Sequence, residues 1–267
     1  MVPAATPPRA SKGARVRFAW LSSGSRGNAA LVEADGRCVM IDCGPAVKVV
    51  ETRLAQLGRS PADIDAILVT HEHSDHIGGV ERFARKHSIP VRATAGTARG
   101  FRLAPPPQVE LISPHEPFSI GALEVTPMPV PHDAREPCQF VFSDGAVKLG
   151  IVTDLGHVTA HVIASLQGCD ALALESNHDE AMLASGPYAP PLKRRVGGDL
   201  GHLSNRQAAA LLSALDTRRL RHFVALHLSE VNNTPLLAQR ALAAALGCRH
   251  DEVDVAAQRT GLGWRSL

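Results

Sequence analysis

Seven consecutive residues constrain this chain more than any other stretch: Thr70-His71-Glu72-His73-Ser74-Asp75-His76, directly after the apolar run Ile67-Leu68-Val69. Three imidazoles and the carboxylate of Asp75 behind a buried strand call for metal, because neutral imidazole and carboxylate suit zinc, manganese or iron. The alternate spacing of His71 and His73 lets two rings converge from one extended or turning segment. Asp75 and His76 then face elsewhere, and one ion could hardly accept four adjacent side chains without straining the loop. Two ligand sets, one per metal, are the expectation. The bland alternative, a solvated histidine-rich turn, rarely follows a buried strand.

The rest of the chain must be able to fold around such a site. At 267 residues, 45% apolar and 20% charged, it lies well away from the disordered regime and can bury a sizeable core. The formal net charge of +2 neither demands nor excludes nucleic acid, since a local basic groove can coexist with a neutral total. Five scattered cysteines, Cys38, Cys43, Cys138, Cys169 and Cys248, form no Cys-x-x-Cys pair. They read as reduced thiols of a cytoplasmic protein rather than a disulfide framework. Residues 1–15 hold prolines and basic residues without a continuous apolar stretch, which reads as a flexible N-terminal tail and not a secretory signal. No run approaches the roughly 18 to 20 apolar residues of a membrane span. With no internal linker by composition, residues 16–267 are expected to form a single domain.

Local patterns place the elements. Strands are expected from Val16, over 29–33 and 37–42 about the Asp35-Gly36 turn, over 64–69, 90–95, 109–112 and 121–130, over 139–142 and 147–153 about Asp144-Gly145, and over 171–174, 222–226 and 253–257. Helices are expected over 47–57 before Gly58, over 77–86 with Ser74 or Asp75 near the N-terminus, and over 160–166, 204–215 and 235–246. The Pro105-Pro106-Pro107 run breaks the chain between strands. Asp42 is either a turn residue or a support for the metal loop. Strands outnumber helices, so the expected class is α+β: two mixed sheets packed together with helices on their outer faces.

Polar residues arrive repeatedly just past apolar β runs. His71 follows 67–69, His132 follows 128–130, Asp154 follows 150–152, His178 follows 171–174 and His227 follows 223–226. Strand ends at one sheet edge sit close together, so these groups can converge on one site although distant in sequence.

On these residues the chain resembles the metallo-β-lactamase superfamily, whose four-layer αβ/βα sandwich holds two metals at one edge. The resemblance covers nearly everything from Val16. It implies that His71, His73 and His132 bind one ion, that Asp75, His76 and His227 bind the other, and that Asp154 bridges them. A shared water would then become hydroxide near neutral pH and attack phosphorus or a carbonyl. Zinc β-lactamases commonly carry Cys at the bridging position, and the flavin-linked diiron branch carries Glu at the second histidine; here the residues are Asp154 and His73. The segments Ser22–Asn28, Glu175-Ser176-Asn177-His178-Asp179, Gly201-His202-Leu203-Ser204-Asn205 and His227-Leu228-Ser229 with Asn232-Asn233 look like the YycJ (WalJ) branch. That branch is associated with DNA 5′-to-3′ exonuclease activity and lacks the inserted β-CASP domain of larger nucleases.

The resemblance implies a dimetal hydrolase, a phosphodiesterase or exonuclease on DNA, with two divalent ions (zinc or manganese, or iron) and Asp75 orienting the hydroxide. His178 and His202 are further catalytic candidates, for binding a phosphate oxygen or protonating a leaving oxygen; the plainer reading is that they orient loops. The basic stretch from Tyr188 to Arg195 could form a projecting hairpin against a DNA backbone, or be a solvated loop. Arg218, Arg219 and Arg221 read as the charged end of a helix. A thioester or lactone hydrolase with the same ligands and a non-catalytic metal-stabilised binding module are the alternatives.

Overall fold

The structure is a computed structural model describing residues 16–102 and 108–267. The expected tail over 1–15 and the proline break over 105–107 lie outside the described residues. In the first half, strands β1 (Arg17–Ser22), β2 (Ala29–Ala34), β3 (Arg37–Ile41), β4 (Ala66–Leu68), β5 (Val91–Ala93) and β6 (Val109–Leu111) alternate with helices α1 (Val47–Gln56), α2 (Ser74–Ile77), α3 (Val80–His87) and α4 (Ala95–Ala98). The second half opens with β7 (Phe118–Ile120), β8 (Leu123–Pro129), β9 (Cys138–Ser143) and β10 (Lys148–Val152). It continues through α5 (Ala160–Leu166), β11 (Ala171–Glu175), α6 (Glu180–Ser185), α7 (Pro190–Val196) and α8 (Asn205–Ser213). The last elements are β12 (His222–Leu226), α9 (Pro235–Leu246), β13 (Asp254–Val255) and β14 (Leu262–Ser266).

Two seven-stranded sheets result, in the orders β14-β1-β2-β3-β4-β5-β6 and β13-β12-β11-β10-β9-β8-β7. The period-2 alternation of each strand decides which side chains meet between the sheets. Phe18, Val32, Val39 and Leu68 of one sheet and Phe140, Phe142, Ile151 and Ala173 of the other form the shared inner core. The residues between them turn outward. Leu31, Met40 and Ile67 pack on Leu54, Val80 and Phe83 of α1 and α3, while Leu172, Leu174 and Phe223 pack on Val162, Leu211 and Leu242 of α5, α8 and α9. Each fully buried side chain of this size contributes about 1.5–3 kcal/mol. The layers are therefore helix, sheet, sheet, helix, the αβ/βα sandwich expected from the sequence.

Strands β3 and β4 are parallel, as are β10, β11 and β12. Their C-terminal ends open on one edge, and that edge carries the polar residues singled out above.

Three local readings are corrected. The helix expected over 77–86 is two helices, α2 and α3, because the Gly79 N–H bonds to the Cys43 carbonyl at 2.7 Å, and a Cβ there would stand 2.3 Å from the Pro45 carbonyl oxygen. The Gly78-Gly79 pair lets the chain at 43–45 enter at that point. The stretch up to Arg195, read as either a projecting hairpin or a solvated loop, contains a helix, α7, since Pro190 at its first turn presets φ for helix rather than a strand pair. Arg218, Arg219 and Arg221 lie beyond the end of α8; Arg219 and Arg221 pair with Asp170, and Arg218 with Asp216.

Candidate metal centre

At the shared edge, His71, His73 and His132 offer three ring nitrogens within 4.8 Å of one another, and Asp75, His76, Asp154 and His227 form a second such group. The two clusters adjoin. The His71 and His76 ring centroids are 4.1 Å apart, and Asp154 Oδ1 stands 3.8 Å from His132 Nε2 while Asp154 Oδ2 stands 3.0 Å from His76 Nε2. Every residue that the sequence assigns to a metal is brought to this edge.

The backbone achieves this by ending strands abruptly. Asp42, Asp154 and His227 have φ of 57°, 53° and 52°, a left-handed conformation in which non-glycine residues are uncommon, and each follows the last residue of a strand or lies two beyond it. The surrounding hydrogen bonds hold the turns: Thr153 donates to Asp154, and the His227 N–H donates to Ser23 Oγ.

One nitrogen of each imidazole is committed to a protein partner, which leaves the other for the cluster. His71 Nδ1 contacts Thr70 Oγ1 at 3.0 Å, His76 Nδ1 contacts Asp42 Oδ2 at 2.7 Å, and His227 Nδ1 contacts Glu175 Oε1 at 2.9 Å. His132 Nδ1 lies 3.0 Å from the Gly201 carbonyl oxygen. His73 is turned the other way round: its Nε2 contacts the Asp133 carbonyl oxygen at 3.2 Å, and its Nδ1 faces His132 Nε2 at 3.2 Å. With both rings neutral these two nitrogens are unprotonated and face each other, an arrangement that a shared cation relieves.

The donor set fits divalent metal by a second observation. His71 Nε2 and His227 Nε2, one in each cluster, are buried with no hydrogen-bond partner, a state that costs about 1–3 kcal/mol per group in a metal-free protein. Charge agrees. Burial works to raise the pKa of Asp154, yet the facing His227 and His76 hold it well below the carboxylate range. Burial works to lower the pKa of His76, yet Asp154 and Asp42 raise it well above the histidine range. The acidic groups thus demand positive charge, which bound cations supply in place of protons. The fold and these His/Asp clusters make the chain a divalent-metal protein.

Asp42 is a support of the metal loop and not merely a turn residue: besides His76, it accepts from the Thr70 N–H at 2.8 Å and from Thr70 Oγ1 at 2.9 Å. The Ser22–Asn28 loop grips the same segment. The Asn28 N–H donates to the Asp75 carbonyl at 2.7 Å, and its amide Nδ2 lies 3.3 Å from Asp75 Oδ2.

His202 stands beside the second cluster, with Nδ1 2.8 Å from Glu175 Oε1 and 3.4 Å from Asp154 Oδ1. His178 belongs to none of the ligand groupings. Its backbone carbonyl accepts from the Asn205 N–H and its Nδ1 is buried without a partner, behind the 202–205 segment.

The residue that sequence reading passed over is Glu175. Fully buried at the end of β11, it accepts from His227, His202 and the Leu155 and Leu203 N–H groups. Its signal was available: an acid closing the apolar run Ala171-Leu172-Ala173-Leu174, as Asp154 follows its own strand.

Comparison with known proteins agrees with this geometry. The beta-lactamase superfamily domain matches residues 37–227. Exodeoxyribonuclease YycJ of Bacillus anthracis is 35% identical over 235 residues, covering 86% of this chain and 89% of that protein. Exodeoxyribonuclease WalJ of Streptococcus pneumoniae serotype 2 is 33% identical over 233 residues, covering 85% and 86%. Among solved structures, the metallo-beta-lactamase fold protein YhfI of Bacillus subtilis superposes with a TM-score of 0.74 at 15% identity, over 96% of this chain and 100% of that one, a likeness of fold. Sandwich topology, paired histidine and aspartate clusters, and identity to YycJ and WalJ over most of their length lead to one conclusion: the chain belongs to the beta-lactamase superfamily, in the family of the exodeoxyribonucleases YycJ and WalJ.

Proposed function

We propose that the protein is a dimetal phosphodiesterase that degrades DNA from an end, a 5′-to-3′ exonuclease-like hydrolase. The observation carrying this reading is the pair of adjoining donor clusters, with Asp154 between them, in a chain whose relatives of similar length are named exodeoxyribonucleases. His71, His73 and His132 would hold one ion and Asp75, His76 and His227 the other, with Asp154 lying between the two clusters. Zinc or manganese suits these ligands best, and iron is compatible with them. When bound, two such ions supply an activated water nucleophile and neutralise charge on a phosphate.

The chain's own residues do the remainder. Asp75 orients the attacking group from the rim of the second cluster. Burial lowers the proton affinity of His202, but Glu175 more than offsets this and raises its pKa. With Nδ1 fixed on Glu175, His202 can present a proton at Nε2 to the leaving oxygen. His178 is the second candidate for contact with a phosphate oxygen. Helix α7, carrying Lys193, Arg194 and Arg195, adjoins the site through the 2.6 Å contact of Arg195 with Asp133 and supplies cations for a DNA backbone. We also propose that residues 16–267 form one domain, supported by the core shared between the sheets. The cytoplasmic placement rests on five free cysteines; among the described residues, no helix is long and apolar enough to cross a membrane.

The test is a parallel assay of metal-stripped and zinc- or manganese-reconstituted protein on 5′-labelled duplex DNA, a simple phosphodiester and a thioester. Metal-dependent release of nucleotides from DNA is expected. His202→Ala should slow this cleavage by about 10²–10⁴-fold with metal content intact. Turnover of the thioester alone would overturn the reading.

A further inference from the structure

The two clusters differ in what stands behind their histidines. In the second, His76 rests on the Asp42 carboxylate and His227 on Glu175. In the first, the contacts to His71, His73 and His132 are a hydroxyl and two backbone carbonyls, all neutral. A carboxylate behind a metal-bound imidazole raises its basicity and fixes its orientation. Besides the shared Asp154, the acid beside the three-histidine cluster is Asp133, whose Oδ1 lies 3.4 Å from His132 Nε2 and 3.7 Å from His73 Nε2. That oxygen is buried and has no hydrogen-bond partner. The other carboxylate oxygen, Oδ2, receives Arg195 Nε at 2.6 Å, and the Asp133 N–H is anchored on the Leu200 carbonyl at 3.0 Å.

The unpartnered acceptor Oδ1 faces the His132 nitrogen left free for metal, so a cation relieves two lone pairs that otherwise oppose each other. We propose that Asp133, oriented by Arg195 of α7, presents a carboxylate oxygen to the three-histidine metal site, so that the affinity of this one ion depends on an ion pair beyond the seven assigned ligands. Arg195 acts through Asp133; its side chain is more than half exposed, at 59%. Because Arg195 is also one of the cations offered to DNA, substrate and the first ion meet at the same ion pair. The inference rests on the dimetal reading above.

The experiment titrates metal-stripped full-length chain with zinc against a chromophoric chelator, giving stoichiometry and two stepwise affinities. Wild type is expected to bind two ions. Asp133→Asn should weaken one step by about 10–100-fold and leave the other unchanged. Arg195→Ala should weaken the same step, and Arg195→Lys should restore it in large part, a rescue that general destabilisation would not show. Arg206→Ala, which removes an exposed pair with Glu180, should change neither step. If Asp133→Asn fails to fold, the Arg195 pair of variants decides alone. Both steps unchanged in Asp133→Asn and Arg195→Ala, with two ions still bound by wild type, would overturn this inference while leaving the dimetal reading standing. A wild type that binds no ion would overturn both.

Discussion

Glu175→Gln is the substitution whose consequence can be worked most directly from the structure. The carboxylate is fully buried, and each oxygen accepts twice: Oε1 from His202 and His227 Nδ1 at 2.8 and 2.9 Å, Oε2 from the Leu155 and Leu203 N–H groups at 3.0 Å each. Glutamine keeps the shape but has one acceptor end. Turned towards Leu155 and Leu203, its NH2 group meets two backbone donors; turned towards His202 and His227, it meets two ring nitrogens that must give up their protons or change tautomer to accept. Two buried donors left unpaired cost on the order of 2–6 kcal/mol together, from about 1–3 kcal/mol each. That is a large share of the roughly 5–15 kcal/mol that stabilises a protein. At about 2–4 °C per kcal/mol, the midpoint of thermal unfolding should fall by about 5–20 °C.

The acid limb of the stability profile should change as well. Burial works to raise the Glu175 pKa, but His202 and His227 hold it below the carboxylate range. A depressed carboxylate contributes stability above its unfolded pKa and loses it as pH falls through the folded value. The difference between wild type and Glu175→Gln should therefore be full at neutral pH and shrink towards acid. Melting of metal-stripped protein across pH, followed by circular dichroism, measures this. A midpoint within 2 °C of wild type at neutral pH would refute the assigned hydrogen-bond roles.

Other outcomes follow from the same geometry. Gly44→Ala places a Cβ 1.8 Å from the Asp75 carbonyl oxygen, which no side-chain motion relieves; stability should drop by about 1–3 kcal/mol, and zinc titration should show the Asp75-His76-His227 site weakened. In native protein a thiol reagent should modify Cys248 and spare Cys38, Cys43, Cys138 and Cys169, which are buried; burial pushes the Cys169 thiol up to about 11. Full denaturation should expose all five to counting with the same reagent. If Lys193 and Arg194 of α7 each neutralise a phosphate, Lys193→Ala with Arg194→Ala should reduce the slope of log affinity against log salt on duplex DNA by about 2, and an unchanged slope would remove α7 from the DNA path.

Most of the architecture was legible in the sequence because strand alternation, turn glycines and helix caps act within a few residues. Helices α5 and α9 occupy the expected spans 160–166 and 235–246, and the Asp35-Gly36 and Asp144-Gly145 turns join antiparallel strands. Ser204 caps α8 with a reciprocal Gln207 contact. The short β7, α4 and α6 were not read, since segments of three to six residues carry too little periodicity. The break between α2 and α3 escaped because its cause, the Cys43 carbonyl, arrives from the loop after β3.

The same division holds at the site. Residue type and strand-end position together picked out the side chains that gather in the two clusters, because a strand leading into a polar residue is a local pattern. Tertiary structure alone decided which nitrogen of each ring is free, that Glu175 joins His202 to His227, and that Arg195 of α7 reaches Asp133 across 62 positions of sequence. Those are distances between separate loops on one sheet edge. A local sequence pattern contains no term for them until the sheets pack and bring the strand ends side by side.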